Sequence, residues 1–186
     1  MFKDAIKLLL AIVFSPKIAW KELSESKENN DFFKKNYLYP VILMIAFSSL
    51  IGGYFGAEQH FLQSAFKEMF ISLIVVCGSY LISTFCLNEY LASVFPENKG
   101  IWQSRQFIAY ASAINYCLYI LLSILSDLFF LWMFSLYSVY LVYIGSYEFL
   151  KIEESRRGQF VVVASILVLF VPYLIKTLLG QMINKA

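Results

Sequence analysis

The stretch LYPVILMIAFSSLIGGYFG, residues 38–56, runs for nineteen residues without a charged side chain. As a helix it would rise about 28 Å, close to the ~30 Å hydrocarbon core of a bilayer. Four more apolar runs follow, at about 69–87, 107–125, 128–150 and 160–179. Their uninterrupted length lacks the alternation of a membrane barrel, so backbone groups in lipid must be bonded within helices. The expected fold class is an all-α membrane protein, a five-transmembrane-helix bundle over residues 37–186 preceded by an amphipathic helical segment over 1–36. Composition agrees, with 60% hydrophobic residues, 15% charged residues and a mean hydropathy of +0.66, far from the balance of a soluble domain.

Charge placement orients the bundle. Lys3, Lys7, Lys17, Lys21, Lys27, Lys34 and Lys35 precede the first run; Lys99, Arg105, Lys151, Arg156 and Arg157 fall in alternate connections. That places twelve basic residues on one side against Lys67, Lys176 and Lys185 on the other. By the positive-inside rule the amino terminus is cytoplasmic and the carboxyl terminus lies outside. A net charge of +2, with no basic patch interleaved with aromatics, gives no reason to expect a nucleic-acid partner.

Phe2, Ile6, Leu9, Leu10 and Val13 recur at helical spacing opposite Lys3, Asp4 and Lys7. This helix either lies in the membrane interface or docks on the bundle; amphipathicity alone does not separate the two. Near an anionic leaflet each lysine could contribute about 1 kcal/mol. The stretch ends at Ser15-Pro16 without a small-residue cleavage site, so it is read as retained.

Inside the spans no ionisable side chain stands near a midpoint; Glu68, Glu148 and Lys176 mark span ends. This disfavours a proton relay or an ion-coupled carrier. The three cysteines, Cys77, Cys86 and Cys117, lie within apolar runs and read as small hydrophobes. His60 stands in a short connection with too few companions for a metal, and no cofactor is expected. No nucleophile has an acid-base partner nearby, so enzymatic chemistry is not expected.

Small residues recur every four positions in span one, as Ser48, Gly52 and Gly56 beside Ser49 and Gly53. Such a row admits a close helix, either within the bundle or in a homo-oligomer. Tyr137, Tyr140, Tyr143 and Tyr147 cluster on about a third of span four. Their hydroxyls could bond to Asn115, Ser112 or Ser138, or line a cavity for a lipid headgroup or solute. Pro172 withdraws the partner of the Val168 carbonyl and should kink span five. Pro40 is expected in the first turn of span one, where its missing N–H costs nothing. Asp127 is expected to cap span four.

Four segments in order carry a family resemblance. They are Ser15-Pro16 with Ala19-Trp20, then Tyr37-Leu38-Tyr39-Pro40 leading to Gly52, Gly53 and Gly56. Phe107 to Ala113, with Tyr110 and Ser112, comes third, and Tyr137 to Gly145, with Tyr140 and Tyr143, is last. Together they resemble the Yip family, the Ypt/Rab-interacting domain family, in its short prokaryotic branch. Where similar proteins often carry a proline after the Tyr-Ala-Ser stretch, this chain has Ile114-Asn115, which removes the usual cause of a kink. The resemblance implies a five-span bundle with a cytoplasmic amino terminus, in a bacterial inner membrane. It assigns no activity; the Rab role of eukaryotic relatives does not carry over, because no separate soluble domain precedes span one. The expected function is non-enzymatic organisation of membrane lipids, anionic headgroups among them, or of a membrane-protein partner. The alternative is a lipid or solute translocase working along the tyrosine and serine face of span four.

Overall fold

The computed structural model describes residues 2–26, 30–56, 60–95 and 100–183, apart from the side chains at 30, 31, 126, 127 and 183. Helix α1 (Phe2–Phe14) and α2 (Pro16–Glu25) open the chain. A short α3 (Asn30–Phe33) and a π-helical turn (Lys34–Leu38) lead into α4 (Tyr39–Phe55). Then come α5 (Phe61–Val94), α6 (Ile101–Ala111) and α7 (Ala113–Ile124). A 3-10 segment (Ser126–Leu136), α8 (Tyr137–Glu148) and α9 (Glu154–Ile183) complete it. No strand occurs among the described residues. Four helices are long and apolar enough to cross a membrane, and α6 with α7 makes a fifth when taken as one bent span. α4 lies along α5 and α7, and α9 packs between α5 and α8.

Pro40 stands in the first turn of α4, as expected, although helical backbone begins upstream at Asn30. A proline ring collides with the preceding turn of a continuous α-helix, and the chain widens just before it into the π turn, closed by the Tyr39 N–H on the Lys34 carbonyl. Two departures from the expected spans have backbone causes. Span three bends by 45° between α6 and α7 although no proline is present. Ser112 takes φ −84° and ψ 4° at the break, while bonds from Ser112 N to the Ile108 carbonyl and from Tyr116 N to the Ser112 carbonyl continue on either side. The Ala109 carbonyl, in the last turn before the bend, accepts from the Tyr37 hydroxyl at 3.4 Å. Span four starts as a 3-10 segment with Leu128 at φ −89° and ψ 35°; the capping role of Asp127 lies outside the described side chains.

Pro172 stands inside α9, which runs on as one helix. The Val168 carbonyl it deprives is taken by Asn115 Nδ2 at 3.3 Å. One residue earlier, the Leu167 carbonyl accepts from Ser83 Oγ of α5 at 3.0 Å. Polar side chains therefore tie α9 to α7 and α5, at the carbonyl that Pro172 leaves open and at the one before it, the arrangement lipid surroundings favour.

The core is aromatic at the amino-terminal end. Trp20, Phe33, Tyr37, Phe107, Tyr110 and Phe160 are fully buried. Trp20 sits 5.4 Å from Phe107, 5.6 Å from Phe149 and edge-on to Tyr110 at 5.9 Å, centroid to centroid, separations at which such rings attract. Cys77 and Cys117 are half-buried, but Cys86 faces outward, so only the first two fill gaps.

Candidate functional site

Two cavities open at the end of the bundle away from α1 and α2. One, of about 620 Å³, lies between α4, α5 and α7 and is lined by Ser49, Ser64, Glu68, Ser72 and Ser123 among others. The second, of about 660 Å³, lies between α7, the 3-10 segment and α9 and is lined mainly by Leu136, Val168, Leu169, Phe170 and Pro172. Tyr119, Trp132 and Lys176 line both. Both volumes fall in the range of small-ligand sites. The ammonium of Lys176 lies 5.7 Å from the centre of the Trp132 ring, and Trp132 meets Tyr119 edge-on at 5.2 Å. Asn115 forms part of the floor of the apolar cavity, and its Oδ1 has no hydrogen-bond partner among the described residues. In the sequence Glu68 and Lys176 are only span-end charges, and nothing singles out Trp132. An aromatic belt residue beside a span-end cation is the one signal that could have joined them.

The small-residue seam of span one forms the wall of the first cavity. Ser49 Oγ lies 3.0 Å from Ser123 Oγ, and a methyl group at Gly52 would overlap the Ser123 carbonyl. At Gly53 it would come within 2.9 Å of the Ala65 backbone. The row thus serves packing of α4 on α7 and α5, the intramolecular use. Gly56 caps α4 and is exposed, with nearby only the Gly52 carbonyl of its own helix.

The motif residues divide by place. Pro16 opens α2 and is buried, Pro40 is buried, and Tyr39 is exposed. Gly145 is a contact surface for Trp20: a methyl there would stand 2.7 Å from Trp20 Cζ2 and 3.0 Å from Phe107 Cε2. Tyr110 is in the same cluster, while Ser112 and Asn115 sit at and just beyond the bend. The tyrosines of span four do not bond to Asn115, Ser112 or Ser138. The Tyr137 hydroxyl donates to the Val13 carbonyl of α1 at 2.9 Å. Tyr140, Tyr143 and Tyr147 point outward, because the opposite face of α8, with Ser138, Leu141, Val142, Gly145 and Ser146, is the buried one. None of the four lines either cavity at the far end. Tyr147 instead carries the Arg157 guanidinium, 4.9 Å from its centre.

The amino-terminal segment is a second surface of interest. Ala5, Leu9 and Ile12 dock α1, and Pro16, Ala19, Trp20 and Leu23 dock α2. Yet Phe2, Ile6, Leu10, Phe14 and Ile18, spaced four apart through both helices, are 42–79% exposed. Lys3, Lys7, Lys17 and Lys21 are exposed beside them. The segment thus joins both expected behaviours: one apolar face packs on the bundle, and a second faces outward. Tyr137, which bonds to Val13, is near the middle of the apolar helix Leu128–Glu148. The junction of α1 and α2 therefore reaches well into the bundle's length.

No curated protein matches the chain, and no solved structure does. The Yip1 domain profile matches residues 10–175, from within α1 to within α9. It includes the α1–α2 segment with Trp20, the bend at Ser112 and the Gly145 contact, and it covers most of the sequence; the chain belongs to the Yip1 domain family.

Proposed function

We propose that this Yip1-family membrane protein organises lipids without catalysis, by holding the α1–α2 segment as a wedge in one leaflet. The observation that carries the reading is the outward apolar stripe Phe2, Ile6, Leu10, Phe14, Ile18 on helices whose other face is fixed to the bundle. Surface of this kind, left in water, would be an aggregation liability; in acyl chains it is solvated. The flanking lysines favour anionic headgroups, and their excess at this end makes it the cytoplasmic side, with the carboxyl terminus outside. Volume added to one leaflet alone expands it relative to the other and bends the bilayer. Four buried serines support a structural rather than catalytic use: Ser48, Ser79 and Ser146 donate to carbonyls of their own helices, and Ser83 to α9.

Nitroxide labels at Phe14→Cys, Ile18→Cys and Lys21→Cys, in a background lacking the native cysteines, test the wedge in reconstituted vesicles. Labels at 14 and 18 are expected to be relaxed by oxygen and shielded from a water-soluble nickel complex, and the label at 21 to show the reverse. Water-accessible labels at 14 and 18 overturn the proposal.

A further inference from the structure

We propose that the two adjacent cavities at the far end, which share Tyr119, Trp132 and Lys176, bind one zwitterionic aminophospholipid, its headgroup between Glu68 and Lys176 and one acyl chain in the groove of α7 and α9. Among the described residues the polar cavity carries one carboxylate and one ammonium, and neither forms an ion pair. A phosphate with a primary amine a few bonds away complements that pair: the phosphate accepts from Lys176, and the amine donates to Glu68. A purely anionic lipid would leave Glu68 opposed, and a quaternary amine has no N–H to donate to it.

The second cavity supplies the tail site. From Lys176, its apolar lining descends α9 through Tyr173, Pro172 and Leu169 to Val168, two turns of helix or about 12 Å. It thus runs from the end of the bundle toward its middle, the direction a lipid chain takes from its headgroup. A soluble solute would need no such extension. Trp132, beneath Lys176 and shared by both cavities, stands where interfacial aromatics meet headgroups. The Asn115 Oδ1 is on the cavity floor and plays no part in the headgroup assignment.

Native mass spectrometry of the intact protein, released from mild detergent with equal amounts of phosphatidylethanolamine, phosphatidylglycerol and phosphatidylcholine, tests the assignment. Phosphatidylethanolamine adducts are expected to predominate. Glu68→Gln is expected to remove that preference by about tenfold, and Lys176→Gln to lower all phospholipid adducts similarly. Both side chains are exposed, so neither change opens the core. Leu169→Trp, which fills the tail groove, is expected to lower adducts regardless of headgroup. Equal adducts of the three lipids, a preference for phosphatidylglycerol, or a pattern unchanged in all three variants overturns the proposal.

Discussion

At the scale of single residues, three helical glycines separate packing from propensity. Replacing any of them by alanine gains about 1 kcal/mol of helix propensity, so differences among them report contacts. At Gly180 nothing stands in the way of the new methyl, and Gly180→Ala is expected to leave the melting temperature in detergent unchanged or slightly raised. At Gly145 the methyl meets two large rings packed on other neighbours, a cost of about 1–3 kcal/mol. At Gly52 it meets a backbone carbonyl, which cannot rotate aside, so α4 and α7 must separate. The expected order of melting temperatures is therefore Gly180→Ala, Gly145→Ala, Gly52→Ala, highest first; three equal values would refute the seam. Gly52 was legible as a close-approach position from its four-residue spacing. The pairing of Gly145 with Trp20 was not, because both stand in recognisable motifs but nothing local says that one covers the other.

At the scale of elements, the tie between α7 and α9 rests on a proline. Asn115→Leu leaves the Val168 carbonyl without its donor, at a cost of about 1–2 kcal/mol. It also removes the unpartnered Oδ1, which offsets part of that cost. The decisive measurement is thus the same substitution in a Pro172→Ala background, where an N–H is restored to the helix. We expect Asn115→Leu to be milder there by about 0.5–1.5 kcal/mol in thermal unfolding; an identical cost in both backgrounds sinks the account. Pro172 exposed one half of this tie in the sequence, since a proline always deprives the carbonyl four residues back. The donor could not be read, because Asn115 is 53 residues away and any nearby polar group would have served. The bend at Ser112 was hidden for a related reason: its support is the Tyr37 hydroxyl across the bundle, not a local breaker.

At the scale of the molecule, the apolar runs were enough to fix the class of fold: four helices are long and apolar enough to cross a membrane, and the bent pair α6 and α7 makes a fifth when taken as one span. The cavities were not foreseeable, since they are spaces between helices rather than properties of any run. The twelve-to-three lysine and arginine count predicts the orientation: a phosphatase fused after Ala186 is expected to be active and a fluorescent protein there dark, as for an exterior carboxyl terminus. The reverse pair of signals overturns that orientation. The docking of α1 and α2 also sets an order of assembly. Val13 and Trp20 rest on Tyr137, Gly145 and Phe149, residues the ribosome delivers on the order of ten seconds later at about 5–20 residues per second. An amino-terminal segment made early must wait for span four, with its aromatic face unpartnered meanwhile, so residues translated among the first are placed among the last.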